Sequence, residues 1–186
     1  MDVYKEVEKI YKENPDRIKA IGVSNWSVSY LERLLQYATV IPAINQIELH
    51  PSCTQTELVE FSKSKGVAIT AHSPLGSTGT PLARGDVVRK VAGKKGVSPF
   101  TVLVSLRANT DQTNVLCKSV TAERIRCGCF SQFLRRKGLI LWLITSHDVA
   151  NTELVEELLA IDKTFHFRCC HPDWTGYGSL GFPDCE

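Results

Sequence analysis

Lys118 and Arg124 flank a short run containing Ser119 and Thr121, between an apolar strand candidate and the start of a helix. A cation ending a strand, then hydroxyls, then the unsatisfied N–H groups of a helix start, suits an anion such as phosphate. The same residues also fit a capped helix with two solvated cations, which taken alone is the commoner arrangement. Ser24, Asn25 and Gln46 supply hydroxyl and amide groups at the ends of two further strand candidates. Groups of that kind more often satisfy local backbone than bind a ligand. His72 ends a third strand without a catalytic partner in the local spacing, and His50, before Pro51, reads as structural. Cys127, Cys129, Cys169, Cys170, His166 and His171 offer donors for zinc. Their C-x-C and adjacent Cys-Cys spacings match no common structural zinc pattern, so no metal site is expected.

The elements that must position these groups alternate in type. Residues 18–23, 41–47, 67–71 and 114–117 are apolar strand candidates. Each ends in a small polar cluster: Ser24-Asn25, Glu48-Leu49-His50, Ser73-Pro74-Leu75-Gly76-Ser77, and Lys118-Ser119-Val120-Thr121. Helical patterns precede and separate them. Residues 1–14 place Val3, Val7, Ile10 and Tyr11 on one face, and Pro15 stops that helix. Ser27 is an N-cap candidate for a helix with Leu31, Leu34, Leu35 and Ala38 as its stripe. Thr54 or Thr56 opens the next helix, with Leu58 and Phe61 inward and Gly66 as its stop. Residues 86–95 and 98–108 read as two helical pieces, and Thr121 caps another helix start.

Strands separated by helices require crossovers, and so predict a parallel sheet covered by helices. No GxGxxG turn follows any strand, which disfavours an open dinucleotide-binding sheet. The predicted fold is therefore α/β, a partial (β/α)8 barrel of about four βα units with an irregular C-terminal tail. Such a barrel gathers its ligand groups at the carboxyl ends of its strands.

Three segments emerge: residues 1–125 as the barrel half, 126–150 as an atypical insert, and 151–186 as a helix plus tail. Residues 126–147 contain no Asp or Glu but carry Arg126, Arg135, Arg136 and Lys137. From Asn151 a capped helix returns with Leu154, Leu158 and Ile161, and residues 165–186 read as a loop. The 186 residues carry a net charge of only +2, which gives no reason to expect nucleic acid or an acidic membrane as partner. The longest apolar run, residues 139–144, falls far short of the roughly 20 residues of a membrane span. Seven scattered cysteines and no apolar leader after Met1 favour a reducing, cytoplasmic setting.

Taken together, Gly22-Val23-Ser24-Asn25-Trp26, Asn45-Gln46-Ile47-Glu48-Leu49-His50-Pro51, Ser73-Pro74-Leu75-Gly76-Ser77 and Lys118-Ser119-Val120-Thr121 resemble the aldo-keto reductases, in order and at matching intervals. The tail strings Cys170-His171-Pro172-Asp173-Trp174 and Gly181-Phe182-Pro183-Asp184 look like the substrate loop of a fungal branch of that family. The resemblance implies a (β/α)8 barrel that binds NADP(H) and reduces small-molecule aldehydes and ketones. It implies that Ser24, Asn25 and Gln46 hold the nicotinamide carboxamide, and that Ser73, Leu75 and Ser77 lie over the pyrophosphate. It further implies that Lys118, Ser119, Val120, Thr121 and Arg124 form the pocket for the adenosine 2′-phosphate. His72 stands where the family usually has a tyrosine stacked on the nicotinamide, and Cys117 replaces a frequent proline.

The resemblance also implies that this chain starts in the helix after the fourth strand. The family's catalytic Asp, Tyr, Lys and His then have no counterpart, and no catalytic residue is assigned. Tyr4 and Tyr11, on the opening helix, do not stand in for the proton donor. The expectation is a reductase-family fragment that grips the cofactor, is inactive alone, melts with poor cooperativity, and has translated non-coding sequence at 126–150. The alternative is a non-catalytic half-barrel that binds other chains or self-associates through exposed barrel edges.

Overall fold

Strands and helices alternate along the chain in the computed structural model, which describes residues 2–78, 81–110, 113–118, 122, 152–171 and 178–185. Strands β1 (Val23–Ser24), β2 (Ile44–Glu48), β3 (Ala68–His72) and β4 (Asn114–Val115) form one sheet in the order β1-β2-β3-β4. Helices α1 (Asp2–Glu13), α2 (Val28–Leu35), α3 (Thr56–Ser64), α4 (Asp86–Lys95) and α5 (Pro99–Thr110) precede and separate these strands. β1 and β2 are parallel, with Val23 opposite Asn45 and Ser24 opposite Gln46. Sequence-adjacent parallel neighbours joined through helices are the repeat of a (β/α)8 barrel, and this sheet is consistent with part of one. Helices α6 (Thr152–Leu159) and α7 (Ile161–Thr164) follow.

The chain folds as two compact units. The first comprises Met1–Ile47, Gln55–Thr70 and Cys170–Glu186, and the second Glu48–Thr54 and Ala71–Cys169.

In the first unit α1 turns a different face inward from the one its apolar residues predict. Val3 is 78% exposed and Ile10 51%, whereas Tyr4 and Glu8 are buried. Backbone partners decide this. The Tyr4 hydroxyl donates to the Val40 carbonyl over 2.9 Å. The Glu8 carboxylate accepts from the Thr39 and Val40 amides at 2.7 and 2.8 Å, and from the Thr39 hydroxyl. α2 buries Leu31 and Leu34 as its spacing predicts. Ser27 precedes it, but its hydroxyl makes no cap and donates instead to the Leu180 carbonyl of the tail at 2.7 Å. Gly181 has φ +73°, and a Cβ there would stand 2.4 Å from the Ser29 hydroxyl, so the tail can pass this close only as glycine. The first strand is shorter than its apolar run: residues 18–22 are half-buried or exposed, and pairing begins at Val23 apart from the Ala43 amide bonding the Ile21 carbonyl.

The core of the second unit lies between α4, α5 and α6. Val91, Val102, Leu103, Leu106 and Leu158 are all fully buried there. The Ser98 hydroxyl accepts from the Thr101 amide at 3.1 Å and caps α5, with Pro99 at the first helical position, where its missing N–H costs nothing. Thr54 does not open α3. Its amide and hydroxyl both donate to the Asp162 carboxylate of α7, at 2.8 and 2.5 Å.

Candidate cofactor-binding site

At the paired ends of β1 and β2, three of the expected site residues meet. The Ser24 hydroxyl and the Asn25 amide both donate to the Gln46 carbonyl, at 3.0 and 2.8 Å. Asn25 takes a left-handed φ of +56°, which turns the chain sharply out of the sheet. Beside it the buried Asn45 side chain holds Trp26 by both amide atoms, at 2.8 and 3.4 Å. The side-chain amide of Gln46, half-buried, makes no hydrogen bond to another described residue.

At the end of β3 a second group forms within the other unit. His72 Nδ1 lies 3.0 Å from the Ser73 hydroxyl. The Gly76 amide donates to the Ser73 carbonyl at 2.9 Å and closes a tight turn. Ser73, Gly76 and Ser77 all have positive φ, of +53°, +78° and +62°. Outside glycine such angles are uncommon, cost about 1–3 kcal/mol each and cluster at ligand-binding turns. Among the described residues five non-glycine positions show them, and Asn25, Ser73 and Ser77 are three of the five. Leu75 packs on the hydrophobic core and Ser77 is exposed. Burial pushes the His72 imidazole pKa down; the Glu48 charge opposes this, while Arg168 and His50 add to it. The ring is therefore held below its ordinary value of 6.5 and is neutral at physiological pH.

Lys118 is exposed three residues past β4. Ser119, Val120, Thr121 and Arg124 lie outside the described residues, as do residues 126–150. Position by position, then, the expected set resolves into Ser24, Asn25 and Gln46 together in one unit, and His72, Ser73, Leu75 and Ser77 together in the other.

A sequence model described as the Aldo/keto reductase family matches residues 2–119. The chain belongs to that family. Among curated relatives, a D-galacturonate reductase of Hypocrea jecorina is 55% identical over 126 residues, 68% of this chain and 40% of that one. A glycerol 2-dehydrogenase (NADP(+)) of Saccharomyces cerevisiae is 44% identical over 164 residues, 87% of this chain and 47% of the other. This aldo/keto reductase chain thus spans less than half the length of those two relatives. Among solved structures, the aldose reductase of Giardia lamblia superposes with a TM-score of 0.78 at 26% identity, covering 97% of this chain and 56% of that one.

Two polar clusters escaped the sequence reading. One is Asp162 with Thr54 and His166, whose Nδ1 lies 2.5 Å from the carboxylate. The other joins Glu48 and His50 to Cys169. Its signal was the Glu48-x-His50 spacing, which puts both side chains on one side of an extended chain. Cys169, 119 residues further on, carried no such signal.

Proposed function

We propose that this aldo/keto reductase chain binds NADP(H) through Ser24, Asn25, Gln46, His72, Ser73, Leu75, Ser77, Lys118, Ser119, Val120, Thr121 and Arg124. Its family's reaction is the reduction of small-molecule aldehydes and ketones, and the bound cofactor supplies the hydride. The 186 residues by themselves hold the nucleotide without reducing a carbonyl, because no acid matching the family's proton donor is found among them.

The observation that carries this reading is the left-handed backbone at Asn25, Ser73 and Ser77. A fold keeps such strain where the surrounding structure fixes it, and positions of this kind cluster at ligand clamps. The Gln46 side-chain amide, with no described partner, is available to donate to and accept from a primary carboxamide. The turn at Ser73–Ser77, closed by the Gly76 amide on the Ser73 carbonyl, leaves the Ser77 hydroxyl exposed and able to donate to a pyrophosphate. The neutral His72 ring adds no charge and can stack on a nicotinamide.

Calorimetric titration of the purified chain with NADPH and with NADH tests binding, and NADPH oxidation across an aldehyde panel tests turnover. Saturable binding, at least tenfold tighter for NADPH, with oxidation at the blank rate, is expected. Absent NADPH binding would overturn the cofactor assignment, and aldehyde-dependent oxidation would overturn the inactivity.

A second reading, self-association, is favoured by one observation. Val3 and Ile10, seven residues apart on α1, present apolar surface on one helix face in the first unit. Sedimentation showing a discrete dimer would support it, and a clean monomer at micromolar concentration would end it.

A further inference from the structure

Glu48 closes β2 and His50 follows two residues later, both fully buried. His50 Nε2 lies 2.8 Å from Glu48 Oε1. Cys169, in the segment after α7, brings its Sγ to 3.8 Å from the same nitrogen. Its amide donates to Glu48 Oε1 at 2.6 Å. One carboxylate oxygen, one imidazole nitrogen and one sulfur thus lie within 4.8 Å of one another.

This is not a thiol–imidazole–carboxylate nucleophile. A relay of that kind needs the thiol on one ring nitrogen and the carboxylate on the other. Here both face Nε2, and Nδ1 meets no hydrogen-bond partner among the described residues. Three donors of different chemistry turned toward one point can instead share a cation. Imidazole nitrogen, carboxylate oxygen and thiolate sulfur all bind zinc, and three protein ligands leave a fourth position open. Zinc's usual bond lengths set tetrahedral neighbours roughly 3.3–3.6 Å apart. The sulfur–nitrogen distance is already close to that, and the Glu48–His50 contact needs to open by roughly half an ångström.

We propose that Glu48, His50 and Cys169 form a site for a thiophilic divalent cation, zinc in preference to magnesium or calcium, with one position left to water. Sulfur sets the preference, because thiolate is a poor ligand for the harder ions. The Glu48 carboxylate and Cys169 thiolate together neutralise a dication, and the thiol gives up its proton on binding. His50 lacks the outer hydrogen-bond partner that usually orients a metal-bound imidazole, which lowers affinity by roughly 10–100-fold. The site uses none of the residues assigned to the cofactor. The rival account makes the trio only an anchor for the segment after α7, where the Phe167 amide also bonds the Ser52 carbonyl at 3.0 Å and its ring centre lies 4.9 Å from that of His50.

Cobalt(II) titration of the reduced, metal-free chain separates the two. A thiolate-to-cobalt charge-transfer band saturating at one equivalent is expected, abolished by Cys169→Ser, retained in Cys170→Ser and displaced by zinc. Alkylation mapping of the unaltered chain gives a second readout that needs no variant: zinc should slow modification of Cys169 at least tenfold. No band at millimolar cobalt, a band that survives Cys169→Ser, or unchanged alkylation of Cys169 would each overturn the site.

Discussion

Glu8 is a buried carboxylate that the folded chain keeps charged. Burial pushes its pKa up, but the Val40 and Thr39 amides, the Thr39 hydroxyl and Lys12 outweigh that and leave it below the ordinary 4.5. Its stabilisation is therefore present above pH 4.5 and is lost as pH falls toward the folded-state value. His72 behaves alike around its own range: held neutral by burial, it resists the proton that the unfolded chain takes up below pH 6.5. Denaturant midpoints measured from pH 7 to pH 3 should fall in two stages, and the lower stage should shrink in Glu8→Gln. Glu8→Ala should cost about 1–3 kcal/mol, because two backbone amides lose their acceptor. A Glu8→Ala midpoint equal to wild type would contradict this. At this scale the sequence was misleading. Val3 and Ile10 marked an inward face by hydropathy alone, whereas Glu8 is held inward by the amides of residues 39 and 40, which periodicity cannot reveal.

Among the elements, the turn after β3 carries the clearest constraint. A Cβ at Gly76 would meet Leu82 at 3.0 Å and Phe167 at 3.2 Å, at a φ of +78° that disfavours any side chain. Gly76→Ala should destabilise the chain by about 1–2 kcal/mol from the backbone alone. It should also weaken NADPH binding, since this turn is the one assigned to the pyrophosphate. An unchanged thermal midpoint and unchanged affinity would refute both. Leu158 on α6 tests the core of the second unit, where Leu158→Ala should cost about 2–5 kcal/mol by chemical denaturation. Helices α2, α3 and α6 were legible because Leu31 and Leu34, Leu58, and Leu154 and Leu158 fall on helical stripes and are indeed buried. Strand ends were less legible. An apolar run such as residues 18–23 reads as buried strand whether or not a neighbour covers it.

At the scale of the molecule, four short strings in register located the family, and the matched residues 2–119 bear that out. The strings are legible because backbone turns such as Asn25 and Ser73–Ser77 demand particular residue types, while bulk composition says nothing of the kind. The Glu48–His50–Cys169 cluster was not legible, since only the folded chain brings Cys169 to β2. A partial barrel leaves each interior layer with about half its side chains, so near- and far-ultraviolet circular dichroism should give non-coincident melts. One sharp transition shared by both probes would contradict that expectation.

The most direct measurement is the NADPH dissociation constant of the unaltered chain beside that of Gln46→Ala, by quenching of tryptophan fluorescence. Saturable binding that weakens at least tenfold when the Gln46 amide is removed is expected. Equal affinities for the two chains, or none for either, would contradict it.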